Sequence, residues 1–95
     1  MEVQHSKEFK QKPNYSIEWG FGTWSQDWDE KDFAIRNRYN REDGGFNLRG
    51  SAEIPWSDFN RMILESIQEK QFSKNELKII FLGTLKQIIR NTFKR

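Results

Sequence analysis

The sequence has no cysteine, one histidine and no recognisable catalytic motif. Without cysteine there can be no disulfide, no cysteine zinc ligand and no thiol nucleophile. The single histidine, His5, lies in a polar N-terminal segment, so a nucleophilic triad would lack its base. The patterns HExxH, GxSxG, GxGxxG and the P-loop do not occur. The chain is therefore predicted not to be an enzyme, and no cofactor is implied.

Long apolar runs are absent as well. Hydrophobic residues make up 35% of the 95, and no stretch approaches the roughly 20 apolar residues of a membrane span or forms the apolar core of a signal peptide. A cytoplasmic protein without membrane contact is expected. The length fits one domain. We predict a flexible tail over residues 1–14, closed by a turn at Pro13, and a single folded domain over 15–95.

Charge is nearly balanced, with a net charge of +2. Four acidic residues fall in one short segment: Asp27, Asp29, Glu30 and Asp32. Their spacing lacks the glycine and the distal glutamate of an EF-hand loop, so a solvated turn is predicted and no metal site. A net charge this small argues neither for nor against nucleic acid, and the placement of the charges matters more.

Two central segments alternate in the manner of strands that have two different faces. In residues 33–40 the apolar face carries Phe33, Ile35, Asn37 and Tyr39. The opposite face, predicted to be wet and basic, carries Ala34, Arg36, Arg38 and Asn40. Residues 46–54 alternate likewise, and Asp43-Gly44-Gly45 between the two segments supplies positive-φ residues for a hairpin turn. An antiparallel hairpin is predicted.

The rest of the chain completes an α+β domain. Tyr15, Ile17, Trp19 and Phe21 alternate in a further strand or pair of strands over about 15–28. Apolar residues at helical spacing predict helices over about 56–70 and 74–93, and Ser73-Lys74-Asn75-Glu76 is a capping box for the second. We therefore predict an antiparallel sheet of three to four strands, about 15–28, 33–40 and 46–54, followed by two C-terminal helices. The broad apolar stripe of the second helix predicts a homodimer.

The basic face of the hairpin is the candidate site. The candidate phosphate contacts are Arg36, Arg38, Arg41 and Arg49, and the candidate stacking residues are Trp24, Trp28 and Tyr39. Cationic groups that track phosphates, beside aromatic rings that stack bases, are typical of single-stranded nucleic acid binding. A solvated polar face that binds nothing is the competing interpretation.

Residues 33–67 resemble the core of the positive-cofactor family of transcriptional coactivators, to which the Whirly proteins are structurally similar. The matching positions are Ile35, Arg36, Tyr39, a glycine-containing turn, Arg49, Ala52, Ile54, a helix start at 55–58, Phe59, Met62 and Ile63. Gly50 departs from the lysine that this family tends to have, and the second helix extends beyond the small family members. The resemblance implies binding of single-stranded DNA, in transcription or DNA maintenance.

The sequence therefore predicts two alternative functions. The first is single-stranded nucleic acid binding through the basic, aromatic face of the sheet. The alternative is a small protein-binding inhibitor or adaptor of bacteriophage or mobile-element type. Small size, missing catalytic groups, segregated charge and many aromatic residues fit the alternative equally well.

Overall fold

The computed structural model describes residues 1–27, 30–47 and 50–93. The chain divides into two compact units, Met1–Arg61 and Met62–Arg95. The elements are strands β1 (Glu2–Glu8), β2 (Tyr15–Phe21), β3 (Phe33–Tyr39) and β4 (Glu53–Pro55), and helices α1 (Trp56–Gln68) and α2 (Lys74–Phe93). A short 3₁₀ turn, Glu30–Asp32, precedes β3. The predicted α+β fold, an antiparallel sheet followed by two helices, is confirmed.

The strands form one antiparallel sheet in the order β1-β2-β3-β4. β2 and β3 pair over their full lengths, with Tyr15 opposite Tyr39 and Trp19 opposite Ile35. Opposite residues share a face of the sheet. We call one face the aromatic face, and it carries Tyr15, Ile17, Trp19, Phe21, Phe33, Ile35, Asn37 and Tyr39. We call the other the charged face, and it carries Ser16, Glu18, Ala34, Arg36 and Arg38. The division of β3 into these two faces agrees with the prediction.

Strand β1 lies in the segment that was predicted to be a flexible tail. It pairs with β2 through contacts such as His5 opposite Trp19 and Lys7 opposite Ile17. All seven of its residues are exposed. A strand with no buried face needs no alternation of apolar and polar residues, and this segment of the sequence shows no strong alternation. Backbone pairing at the sheet edge therefore forms this strand without burial of its side chains.

The central hairpin is less regular than predicted. The turn forms as expected, with Gly44 at φ 88°, and Asn40 pairs with Phe46 in an isolated bridge. Of the described residues of the predicted strand 46–54, Glu53 and Ile54 lie in a regular strand, β4, which continues to Pro55. In the gap Tyr39 donates its backbone N–H to the Ser51 hydroxyl at 2.9 Å. A side chain here supplies the hydrogen bond that a regular ladder would take from the backbone. The predicted strand 15–28 is shorter too, since β2 ends at Phe21.

Burial on the two faces is the reverse of the prediction. The charged face, expected to be wet, holds the most buried residues, including Ala34 at 0%, Glu18 at 6% and Arg36 at 8% relative exposure. The aromatic face is only half-buried along β2 and β3. Among the described residues Ala34 is the one buried hydrophobic residue. The alternation of residue types in the sequence assigns side chains to the two faces correctly, but it does not indicate which face is buried.

Helix α1 begins directly after Pro55, the last residue of β4. Its first residue, Trp56, packs edge-on against Phe33 with ring centroids 5.5 Å apart and stacks on Phe59 at 5.3 Å. The helix ends where Lys70 takes a left-handed φ of 59°. The hydrogen bonds from Gln71 N–H to the Ser66 carbonyl and from Lys70 N–H to the Ile67 carbonyl are those of a Schellman motif.

Helix α2 begins with the predicted capping box. Glu76 donates its backbone N–H to the Ser73 hydroxyl at 3.1 Å, and Ser73 donates its own to the Glu76 carboxylate at 2.7 Å. The exposed large apolar side chains of this helix are Leu77, Ile79, Phe81, Leu82, Leu85, Ile88 and Ile89. In the described part of the chain no helix is long and apolar enough to cross a membrane.

Candidate nucleic-acid interface

Arg36, one of the predicted site residues, forms a buried ion pair with Glu18 on the charged face. The register of β2 and β3 places these residues directly opposite each other. Arg36 donates from Nε and Nη2 to Glu18 Oε1, at 2.9 and 2.5 Å. Both side chains are less than a tenth exposed. A phosphate could reach this guanidinium only after the ion pair had been broken.

Arg38 is next to this pair but is partly accessible. Its Nη1 lies 3.7 Å from Glu18 Oε2, and its Nε donates to the Asn40 side chain at 3.0 Å. The Phe46 ring lies against both arginines, with its centroid 4.9 Å from the guanidinium carbon of Arg36 and 4.5 Å from that of Arg38. Glu18 balances one of the two guanidinium charges, so the three side chains together keep one positive charge, and Arg38 is the more exposed of the two arginines.

The other predicted site residues are not gathered around these arginines. Arg41 lies in the hairpin turn, where its Nε is 3.3 Å from the Asp43 carboxylate and both side chains are well exposed. Trp24 is 45% exposed, and its ring lies so close to Gly22 that a Cβ there would collide with it. Trp28 and Arg49 lie outside the described residues.

Tyr39 lies on the aromatic face, on the opposite side of the sheet from Arg36 and Arg38. Its ring contacts that of Tyr15, directly across from it, with centroids 5.0 Å apart. The Lys12 ammonium lies 4.2 Å from the Tyr15 centroid and 5.2 Å from that of Tyr39. Phe9 adds a third ring, 5.5 Å from Tyr15. We call these four residues the tyrosine cluster.

The strand that the sequence prediction missed contributes further groups to the aromatic face. The imidazole of His5 stacks on Trp19, with centroids 5.2 Å apart and planes inclined by 27°. Lys7 pairs with Ile17 and places its ammonium 5.9 Å from the Phe9 centroid. The register of β1 shifts between Val3 and His5, so no simple period-two pattern in the sequence marks this strand.

An apolar cavity of about 250 Å³ opens on the same unit. Its lining includes Tyr15, Ile17, Ile35, Ile54 and Phe59. Because β3 pairs Ile35 with Ile54, the isoleucines form one patch that Phe59 of α1 borders. The aromatic face therefore combines rings, aliphatic side chains and a few cations.

Glu53 links β4 to the N-terminus and to the segment after β2 through a hydrogen bond and an ion pair. Its carboxylate accepts a hydrogen bond from the Thr23 hydroxyl at 2.6 Å and lies 3.0 Å from the Met1 ammonium. Burial alone would raise the pKa of Glu53, but the hydrogen bonds from Thr23 and Met1 and the positive charges of Met1 and Arg36 outweigh it and leave this pKa lowered. Glu53 is therefore held in its ionised form.

Among the described residues no group of three or more histidine, aspartate or glutamate side chains is arranged to hold a metal ion. No known protein family, no curated protein and no solved structure matches this chain. The likeness to the positive-cofactor family thus stays a prediction from the sequence.

Proposed function

We propose that this chain is a non-enzymatic protein that binds single-stranded nucleic acid through the aromatic face of its sheet. The observation that carries the proposal is the tyrosine cluster, in which a lysine ammonium and two adjacent tyrosine rings lie together at a half-exposed surface. Proteins that bind single-stranded nucleic acid use this combination, because rings stack bases and cations neutralise phosphates.

The proposed nucleic acid contacts do not include the arginines of the charged face. Arg36 and Arg38 share the Glu18 carboxylate, whereas Lys7 and Lys12 are exposed and lie beside rings. Trp19 with His5 provides a second stacking position on the same face. The proposed contacts are thus two lysines and two ring pairs, with Tyr39 retained from the sequence prediction.

The test is a salt titration of fluorescence anisotropy with a labelled oligothymidylate. Log affinity should fall with log salt by about 0.7 per phosphate contact. Lys7→Gln should flatten this slope by about one contact, while Lys78→Gln, which changes an exposed lysine of α2, should leave it unchanged. Failure of the wild-type protein to bind any single strand at low salt would overturn the proposal.

We also infer that the protein is a homodimer through α2. Seven large apolar side chains of this helix are exposed, and they lie between Leu77 and Ile89, a stretch about 18 Å long at a rise of about 1.5 Å per residue. Soluble monomers seldom expose a continuous apolar patch of this kind. Sedimentation equilibrium of the wild type should give twice the chain mass. Leu85→Lys should shift the distribution to the monomer, and Gln87→Lys is the matched control.

The exposed helix also favours one alternative, a protein-binding inhibitor or adaptor of bacteriophage or mobile-element type. In that case a different protein, rather than a second copy, covers Leu77, Phe81 and Leu85. The two functions differ in outcome: a monomeric protein that binds no nucleic acid at low salt would support the alternative. A dimer with a salt-dependent affinity for single strands would exclude it as the main function.

A further inference from the structure

The tyrosine cluster borders a second cavity, of about 260 Å³, at the connection between β1 and β2. Its lining includes Glu8, Phe9, Lys12, Asn14, Tyr15 and Asn40. The connection folds back through a turn in which Lys12 N–H donates to the Phe9 carbonyl at 3.2 Å, and Asn14 takes a left-handed φ of 64°. This turn places Lys12 over the rings and leaves space next to it.

We infer that the tyrosine cluster is a subsite for one nucleotide, in which a base takes the place of the Lys12 ammonium on the tyrosine rings. This inference rests on the proposed function. A cation over a ring at an exposed site contributes only about 0.5–1 kcal/mol, whereas a stacked base contributes about 1–3 kcal/mol. A base can therefore displace the ammonium at a net gain.

The displaced ammonium has a partner that the nucleotide itself supplies. Lys12 is exposed and its side chain is long and flexible, so the ammonium can pair with the phosphate of the same nucleotide. The rings, the cavity and the cation are then all used by one ligand. Lys12 thus covers the stacking surface in the free protein and neutralises charge in the complex.

Glu8 gives the subsite an opposing charge. Glu8 is one of the residues that line the same cavity, it is exposed on the edge strand β1, and it pairs with Ser16 at the end of β2. Removing this charge should favour an anionic ligand. Glu8→Gln is therefore expected to strengthen binding of a single strand, and it provides a variant that improves rather than impairs affinity.

The test uses the full chain and two labelled strands of equal length, an oligothymidylate and an abasic strand that keeps the phosphates. Tyr15→Leu should weaken oligothymidylate binding about 5- to 150-fold, the equivalent of one stacked base, and should hardly change binding of the abasic strand. Tyr15→Phe keeps the ring and should bind like the wild type. Lys12→Met should flatten the salt slope by about 0.7.

Proton NMR gives a readout of the exchange itself. In the free protein the Lys12 methylene signals should be shifted upfield by the ring currents of Tyr15 and Tyr39, and this shift should disappear when oligothymidylate is added. If the wild type binds but the Lys12 signals do not move and the Tyr15→Leu and Lys12→Met variants bind normally, the inference is overturned while the proposed function stands. If no strand binds at all, both are overturned.

Discussion

Removal of the Glu18 carboxylate should destabilise the sheet far more than removal of an exposed carboxylate such as that of Glu8. Glu18 accepts two hydrogen bonds from Arg36 inside the charged face, and both side chains are almost fully buried. Glu18→Ala would leave the Arg36 guanidinium buried without its hydrogen-bonded carboxylate, and Glu53, opposite Arg36 on β4, would be the acidic residue that remains near it. Breaking a buried ion pair by removing one partner typically costs about 3–5 kcal/mol. Arg38, which lies farther from the carboxylate and is about a third exposed, adds little because water already screens it.

The assay is urea unfolding followed by tryptophan fluorescence. All four tryptophans lie within the first 56 residues, so their emission reports on the unit Met1–Arg61. With a urea dependence of about 1–3 kcal/mol per M for a small protein, the unfolding midpoint should fall by about 1–5 M. Glu8→Gln, on the exposed edge strand, is the control and should change the free energy of unfolding by less than about 0.5 kcal/mol.

A double variant keeps the prediction testable if Glu18→Ala does not fold. In Glu18→Leu with Arg36→Met both charges are gone, and apolar side chains of similar length fill the space below Phe46. Such replacements of a whole buried pair are often neutral or stabilising, so the double variant should be clearly more stable than Glu18→Ala. A Glu18→Ala midpoint within a few tenths of a molar of the wild type would refute the reasoning, because it would mean that the pair is solvated.

Three further predictions concern local features. Ser73→Ala removes the N-cap of α2 and should cost about 1 kcal/mol, seen by circular dichroism during unfolding, while Ser73→Asp should retain the cap; equal stability of all three proteins would contradict this. Gly20→Ala should unpair the start of β1, because its Cβ would collide with the Glu2 carbonyl, and amide exchange of β1 should accelerate selectively. Glu53 has a lowered pKa in the folded protein, so its contribution to stability is complete above its unfolded-state pKa and is lost as the pH falls through the folded pKa. Glu53→Gln should therefore make the free energy of unfolding less dependent on pH in the acid range. An unchanged pH dependence would contradict the assignment.

The strands with an alternating sequence and the capped helix were predictable from local pattern. β3 and the box at Ser73 follow from spacing alone, since side-chain direction and cap chemistry depend on near neighbours in the chain. Strand β1 was not predicted because its side chains are exposed and its existence depends on pairing with β2. Edge strands of this kind are defined by their partner rather than by their own hydrophobicity.

The candidate site was harder to predict than the fold, because it depends on cross-strand register. Arg36 and Glu18 are separated by 18 positions in the sequence, and only their pairing shows that the arginine is neutralised. Lys12 and Tyr39 meet because a turn in the β1–β2 connection brings the lysine onto the face where the strand pair places the tyrosine. Composition identified cations and rings as the relevant groups, but it could not say which of them meet.

The order of the strands also bears on how quickly the chain can fold. Neighbours in the sheet are neighbours in the sequence, so pairing needs the closure of only the connections 9–14, 22–32 and 40–52. Local topologies of this type fold faster than those built on distant pairings. Closing a loop costs about 0.6 kcal/mol more for each doubling of its length, which favours β1 with β2 as the first pair and β4 as the last. Because α1 follows β4 directly, the contact between Trp56 and Phe33 should form only in this final step. Substitutions of Trp56 should therefore change the unfolding rate more than the folding rate.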